Sequence, residues 1–178
     1  AANTIGLKVI WLTVVNALMS TWDYMKLGIM QGVYKILNQW NIFQLGWQTA
    51  VTNIINWCGD MKANVLTILQ NMINGAINLI NGFINLLNKI PGVNIGLIDQ
   101  VTFGTEAQLQ NEAEKQARNE DLKNYTEQIR SQLEEREKSL QQMVKDANSA
   151  RAQREADINA AKAEQAQKKA EAAAAKDT

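Results

Sequence analysis

The sequence contains no histidine, one cysteine and one proline in 178 residues. Without imidazole, and with Cys58 as the only thiol, an imidazole-based catalytic triad, a Cys/His metal site and an intrachain disulfide are all excluded. Scarce proline and long runs of helix-forming residues leave little room for a compact α/β or all-β domain. There is no P-loop and no glycine cluster between a strand and a helix. Carboxylates such as Glu134 and Glu135 fall on a charged helix with no cleft around them. The expectation is a structural, assembling protein with no catalytic residue, no cofactor and no metal, and not an enzyme.

Charge is missing locally, not globally. The 18 basic and 18 acidic residues cancel, but before Pro91 the only charged residues are Lys8, Asp23, Lys26, Lys35, Asp60, Lys62 and Lys89. This contrast divides the chain into an apolar, Trp- and Asn-rich helical region over 1–90, a linker over 91–104, and a charged coiled-coil helix with an Ala-rich low-complexity tail over 105–178. The fold class expected is all-α: extended long helices in a parallel homo-oligomeric coiled coil, not a compact globule. No initiator methionine or signal-peptide pattern opens the sequence, so the chain is expected to begin partway through a longer polypeptide or after processing.

Within the first region an apolar residue recurs every three or four positions. Trp22, Ile29, Val33, Ile36, Trp40, Phe43, Trp47, Val51, Ile54, Met72, Leu79, Phe83, Leu86 and Ile90 mark this stripe, which predicts one long helix, or stacked segments, associating with copies of itself. Cys58 falls on the stripe and is expected to be a small buried hydrophobe. Tryptophans 11, 22, 40, 47 and 57 fit either core knobs or interfacial anchors at a membrane. Gly28, Gly32, Gly46 and Gly59 are candidate kinks, with Gly59-Asp60 the best site for an interruption. Uncharged stretches over 36–59 and 63–88 are long enough to span a bilayer, although their amides would have to be hidden within a bundle.

Polar residues form a second, narrower seam at Asn71, Asn74, Asn78, Asn81, Asn85 and Asn88, with Asn64 and Thr67 before them. Two readings stay open. Either the seam is the solvated outer face of a coiled coil, or several copies turn it inward around a wet lumen, where amides offer donors and acceptors without charge.

Pro91 and Gly92 predict the end of this helix. Val93, Ile95 and Phe103 then alternate with polar residues in a short extended segment that reads as a docking peptide for a partner. Thr105 is the expected N-cap of the next helix, with Glu106 and Gln108 completing a favourable first turn. That helix should run to about Lys176, roughly 100 Å at about 1.5 Å per residue. Its seam of Leu109, Ala113, Leu122, Tyr125, Ile129, Leu133, Leu140, Met143, Ala147, Ile158 and Ala161 is interrupted by Arg136, Arg151 and Arg154.

The run Ile73-Asn74-Gly75-Ala76-Ile77-Asn78-Leu79-Ile80-Asn81-Gly82-Phe83-Ile84-Asn85, closing on Asn88-Lys89-Ile90-Pro91-Gly92-Val93-Asn94-Ile95, resembles the carboxy-terminal part of tape measure proteins of long-tailed bacteriophages. The resemblance implies a structural tail protein in several copies, with a trimer favoured, held in the tail tube and tip against hub, distal tail and tail-tube proteins. It implies location in the virion, then release on infection into the host inner membrane, where the protein helps form a channel for DNA that it touches only in passing. This chain would be a terminal fragment of such a protein. The alternative is a pore-forming or membrane-associated coiled-coil protein of cellular or toxin origin. A coiled coil that never meets a membrane is a third option.

Overall fold

In a computed structural model, residues 2–175 are described, with side chains from Thr4 onward. The protein is all-α: helix α1 spans Ala2–Leu87 and helix α2 spans Phe103–Ala174, and no strand occurs among the described residues. The expected end of the second helix near Lys176 lies outside them. Contacts divide the chain into two units, one made of Ala1–Asn41 with Arg130–Thr178 and the other of Ile42–Ile129. In each, a segment of α1 packs against a segment of α2 running the opposite way.

Helix α1 continues through every glycine expected to break it. At Gly59-Asp60 the neighbouring helix supplies the reason. A β-carbon at Gly59 would fall against the Asn111 amide, while Asp60 accepts from Asn111 Nδ2 at 2.8 Å and from Lys115 Nζ at 2.9 Å. Threonines within α1 satisfy themselves by bonding back one turn, as Thr13 does to the Val9 carbonyl at 2.8 Å and Thr49 to that of Leu45 at 2.8 Å.

The end of α1 is a sharp reversal. Val93 N donates to the Ile90 carbonyl at 3.1 Å, and Gly92 holds φ at +82°. Pro91 followed by a glycine of positive φ is the sequence of a type II turn. The linker then passes back along α1 with no regular secondary structure until Phe103. Because α2 begins there, Thr105 lies inside its first turn and does not precede it. The amides of Gly104 and Thr105 donate instead to Gln70 Oε1 of α1, at 2.7 and 3.0 Å. The cap is supplied from the other helix.

The unit formed by 1–41 and 130–178 is zipped by polar side chains. Arg154 donates to Asn16 Oδ1 at 2.9 Å, Ser20 Oγ at 3.3 Å and Asp23 Oδ2 at 3.1 Å. Arg136 donates to Asn38 Oδ1 at 2.9 Å, Tyr34 Oη lies 3.2 Å from Ser139 Oγ, and Asn41 Nδ2 donates to Gln132 Oε1 at 2.8 Å. Ile5, Ile158 and Ala161 are its buried apolar residues.

The unit formed by 42–129 repeats the pattern. Asn56 donates to Asn119 Oδ1 at 3.1 Å and accepts from Arg118 Nε at 2.8 Å. Thr52, Asn56, Gln70 and Asn111 are buried, as are Ala63, Ile77, Ile84 and Ile129. In both units the α1–α2 contact combines these apolar residues with amide, hydroxyl and ion-pair contacts. Each neutral bond contributes about 0.5–1.5 kcal/mol net, since water competes for the same groups, and bonds to a charged group about 1.5–3 kcal/mol.

Candidate functional site

Two surfaces of α1 stand out. The first is the apolar stripe. In both units it is turned away from α2: Ile36 is 70% exposed, Trp47 65%, Leu79 79% and Phe83 61%. Trp22, Ile29, Val33, Trp40, Phe43, Ile54, Met72, Leu86 and Ile90 are exposed as well, and Val51 is half-buried. All five tryptophans are exposed. Cys58, expected to be buried, is exposed because it shares that outward face. Each unit thus leaves its largest apolar side chains outside, while polar side chains share the interior with a few isoleucines and alanines. Covering one such side chain fully is worth about 1.5–3 kcal/mol, more than a typical neutral bond in the polar zipper.

The second surface is the asparagine seam, and at three of its positions the occupant is the chain's own linker. Asn88 Nδ2 donates to the Ile95 carbonyl at 2.9 Å, and Ile95 N donates back to Asn88 Oδ1 at 2.7 Å. Asn81 makes the same exchange with Ile98, at 2.8 and 2.8 Å. Asn74 makes it with Val101, at 2.9 and 2.8 Å. Thr67, the next position in the series, lies with its hydroxyl 3.4 Å from the Gly104 carbonyl. At this point the backbones approach so closely that a β-carbon on Gly104 would sit 2.7 Å from the Leu66 carbonyl oxygen and 2.7 Å from Thr67 Cα.

The register follows from two rises. Seven residues of α-helix advance about 10.5 Å, and three residues of extended chain advance about 10 Å. An asparagine at every seventh helical position therefore meets the main chain of every third linker residue, with a mismatch of only about 0.5 Å per repeat. A primary amide presents one donor and one acceptor side by side, matching the N–H and C=O of a single extended residue. The lane reads backbone, not side chains. Ile95 at 41%, Leu97 at 56% and Ile98 at 44% stay exposed while docked.

The remaining seam residues behave differently. Asn78 Oδ1 accepts from Gln100 Nε2 at 2.9 Å, tying the flank of the linker to the next column. Asn71 and Asn85 are exposed. The two readings made from sequence, solvent face or lumen, omitted the linker, although Ile95, Ile98 and Val101 at intervals of three were the available signal. Also missed were the partners on α2. Arg136, Arg151 and Arg154, which interrupt its apolar seam in sequence, all donate to side chains of α1, Arg151 to Tyr24 Oη at 3.0 Å.

Among the described residues no cluster of three or more His, Cys, Asp or Glu could hold a metal. One helix, over Thr4–Leu87, includes a segment apolar and long enough to cross a membrane, and almost none of that segment is buried. No protein-family model, curated protein or solved structure matches the chain.

Proposed function

We propose that this chain is a structural, self-associating helical module: the carboxy-terminal part of a tape measure protein of a long-tailed phage, held in the tail tip. Three copies associate through the outward stripe of α1, in parallel, with α2 as the outer layer facing hub, distal tail and tail-tube proteins. The observation carrying the self-association is the apolar stripe left uncovered in both units, with Ile36, Trp47, Leu79 and Phe83 all outside. The Ile-Asn-Gly repeat that closes on Asn-Lys-Ile-Pro-Gly carries the assignment to a phage tail. On infection the module leaves the tail, and its apolar stripe meets the host inner membrane as DNA passes. An antibody against the chain should decorate the distal tail tip of particles encoding it, and the chain should copurify with hub proteins. Labelling elsewhere on the particle, or none, would overturn the assignment.

The exposed apolar segment of α1 also favours a second reading, a pore-forming or membrane-associated coiled-coil protein of cellular or toxin origin. Dye release from anionic liposomes by the full chain, with no tail protein present, would favour it over the tail module. Retention of the dye would count against it.

A further inference from the structure

We propose that the lane Asn74, Asn81 and Asn88 is a receptor for extended polypeptide backbone, that linker 93–102 is its resident strap, and that an extended segment of a partner chain, with no charge and no proline at its rung positions, can replace the strap. The inference stands on the rung geometry alone and does not depend on the phage-tail reading.

Each rung engages only the main-chain N–H and C=O of one residue in three, so any segment with that spacing and no proline at a rung position satisfies it. The occupant should carry no charge at its rung positions, as the strap carries none at Ile95, Ile98 and Val101, because the helix has no charged side chain between Lys62 and Lys89 and the lane offers amides only. Selectivity would come from elsewhere on the partner. The strap is also weakly held: the bonds at Asn81 and Asn88 are exposed to water, which lowers the net gain of each. Its advantage over a competitor is attachment, an effective concentration of about millimolar for a short tether. Ile77 and Ile84 adjoin the lane at the level where the linker passes, and both are buried, at 8% each. A vacant lane would uncover them, so exchange is favoured over simple release.

The test uses the full chain and a fluorescein-labelled peptide of the linker sequence, residues 93–102, read by anisotropy. Ile95→Pro, Ile98→Pro and Val101→Pro together remove the three rung amides and vacate the lane. This opened variant should bind the peptide at least about tenfold more tightly than the wild-type chain, whose own strap competes. Adding Asn81→Ala should weaken that binding by about tenfold, one rung of two bonds. A peptide with proline at its rung positions should not bind. Equal binding by the wild-type and opened chains, no binding by an opened chain of wild-type helicity, or indifference to Asn81→Ala would overturn the proposal. Should the opened variant fail to fold, the wild-type chain decides. Several millimolar unlabelled peptide should accelerate hydrogen exchange at the chain's own Ile98 amide, and an unchanged rate would refute displacement.

Discussion

Asn81 and Ile98 exchange two hydrogen bonds at 2.8 Å each, side-chain amide to main chain. Asn88 with Ile95, and Asn74 with Val101, repeat the exchange one heptad to either side. Replacing Asn81 by Asp keeps the acceptor for Ile98 N but sets an oxygen against the Ile98 carbonyl. Exchange of the Ile98 amide should accelerate at least about fivefold, the equivalent of about 1 kcal/mol. Asn71→Asp, on the exposed neighbouring column, should leave it unchanged.

Gly104 and Gly96 make a matched pair. A methyl at Gly104 meets the backbone of Leu66 and Thr67, whereas one at Gly96 meets nothing within 4 Å. Gly104→Ala should push the start of α2 off α1 and cost on the order of 1–3 kcal/mol, the usual range for overpacking. It should also open the linker to proteolysis. Gly96→Ala should be neutral by thermal melting.

Arg154 spans three acceptors on α1, which lysine cannot reproduce with a single ammonium. Arg154→Lys should loosen the unit formed by 1–41 and 130–178 by about 1.5–3 kcal/mol, the value of hydrogen bonds involving a charged group. Hydrogen exchange at Asn16–Asp23 amides checks it. Amides of the other unit, around Asn56, should be unaffected.

The Asp60–Lys115 pair sets a pH dependence. Hydrogen bonding from Lys115, then from Asn111, holds the Asp60 carboxyl below its ordinary value of 3.8. Its contribution is therefore present above the unfolded value and is lost as pH falls through the depressed folded value. The bond to Asp60 raises Lys115 above 10.5, so its contribution is complete below that value and is lost as pH rises beyond it. Contact between the helices at this pair should be insensitive to pH from about 5 to 10 and weaken on either side. In Asp60→Asn the acid limb should shrink, as followed by a fluorophore placed at Gln108.

Helix α1, its outward stripe and the turn at Pro91-Gly92 were legible because each leaves a one-dimensional mark: a period of three to four, or a proline before a glycine. The polar zipper was not. Asn38, Asn41 and Asn56 on a helix look the same whether they face water or Arg136, Gln132 and Asn119, since periodicity reports a face and not what covers it. The lane was half legible. The seven-residue spacing of Asn74, Asn81 and Asn88 stood out, but its partner is main chain, which every residue carries. Only the rise of three extended residues matched against seven helical ones identifies Ile95, Ile98 and Val101.

Sedimentation equilibrium of the full chain, across a wide concentration range, tests most directly whether the outward stripe serves self-association. A mass near three times the chain's 19.9 kDa, falling towards one chain in an Ile36→Glu, Leu79→Glu double variant of unchanged helicity, is the predicted result. A soluble single chain at every concentration, with the stripe intact, would contradict it.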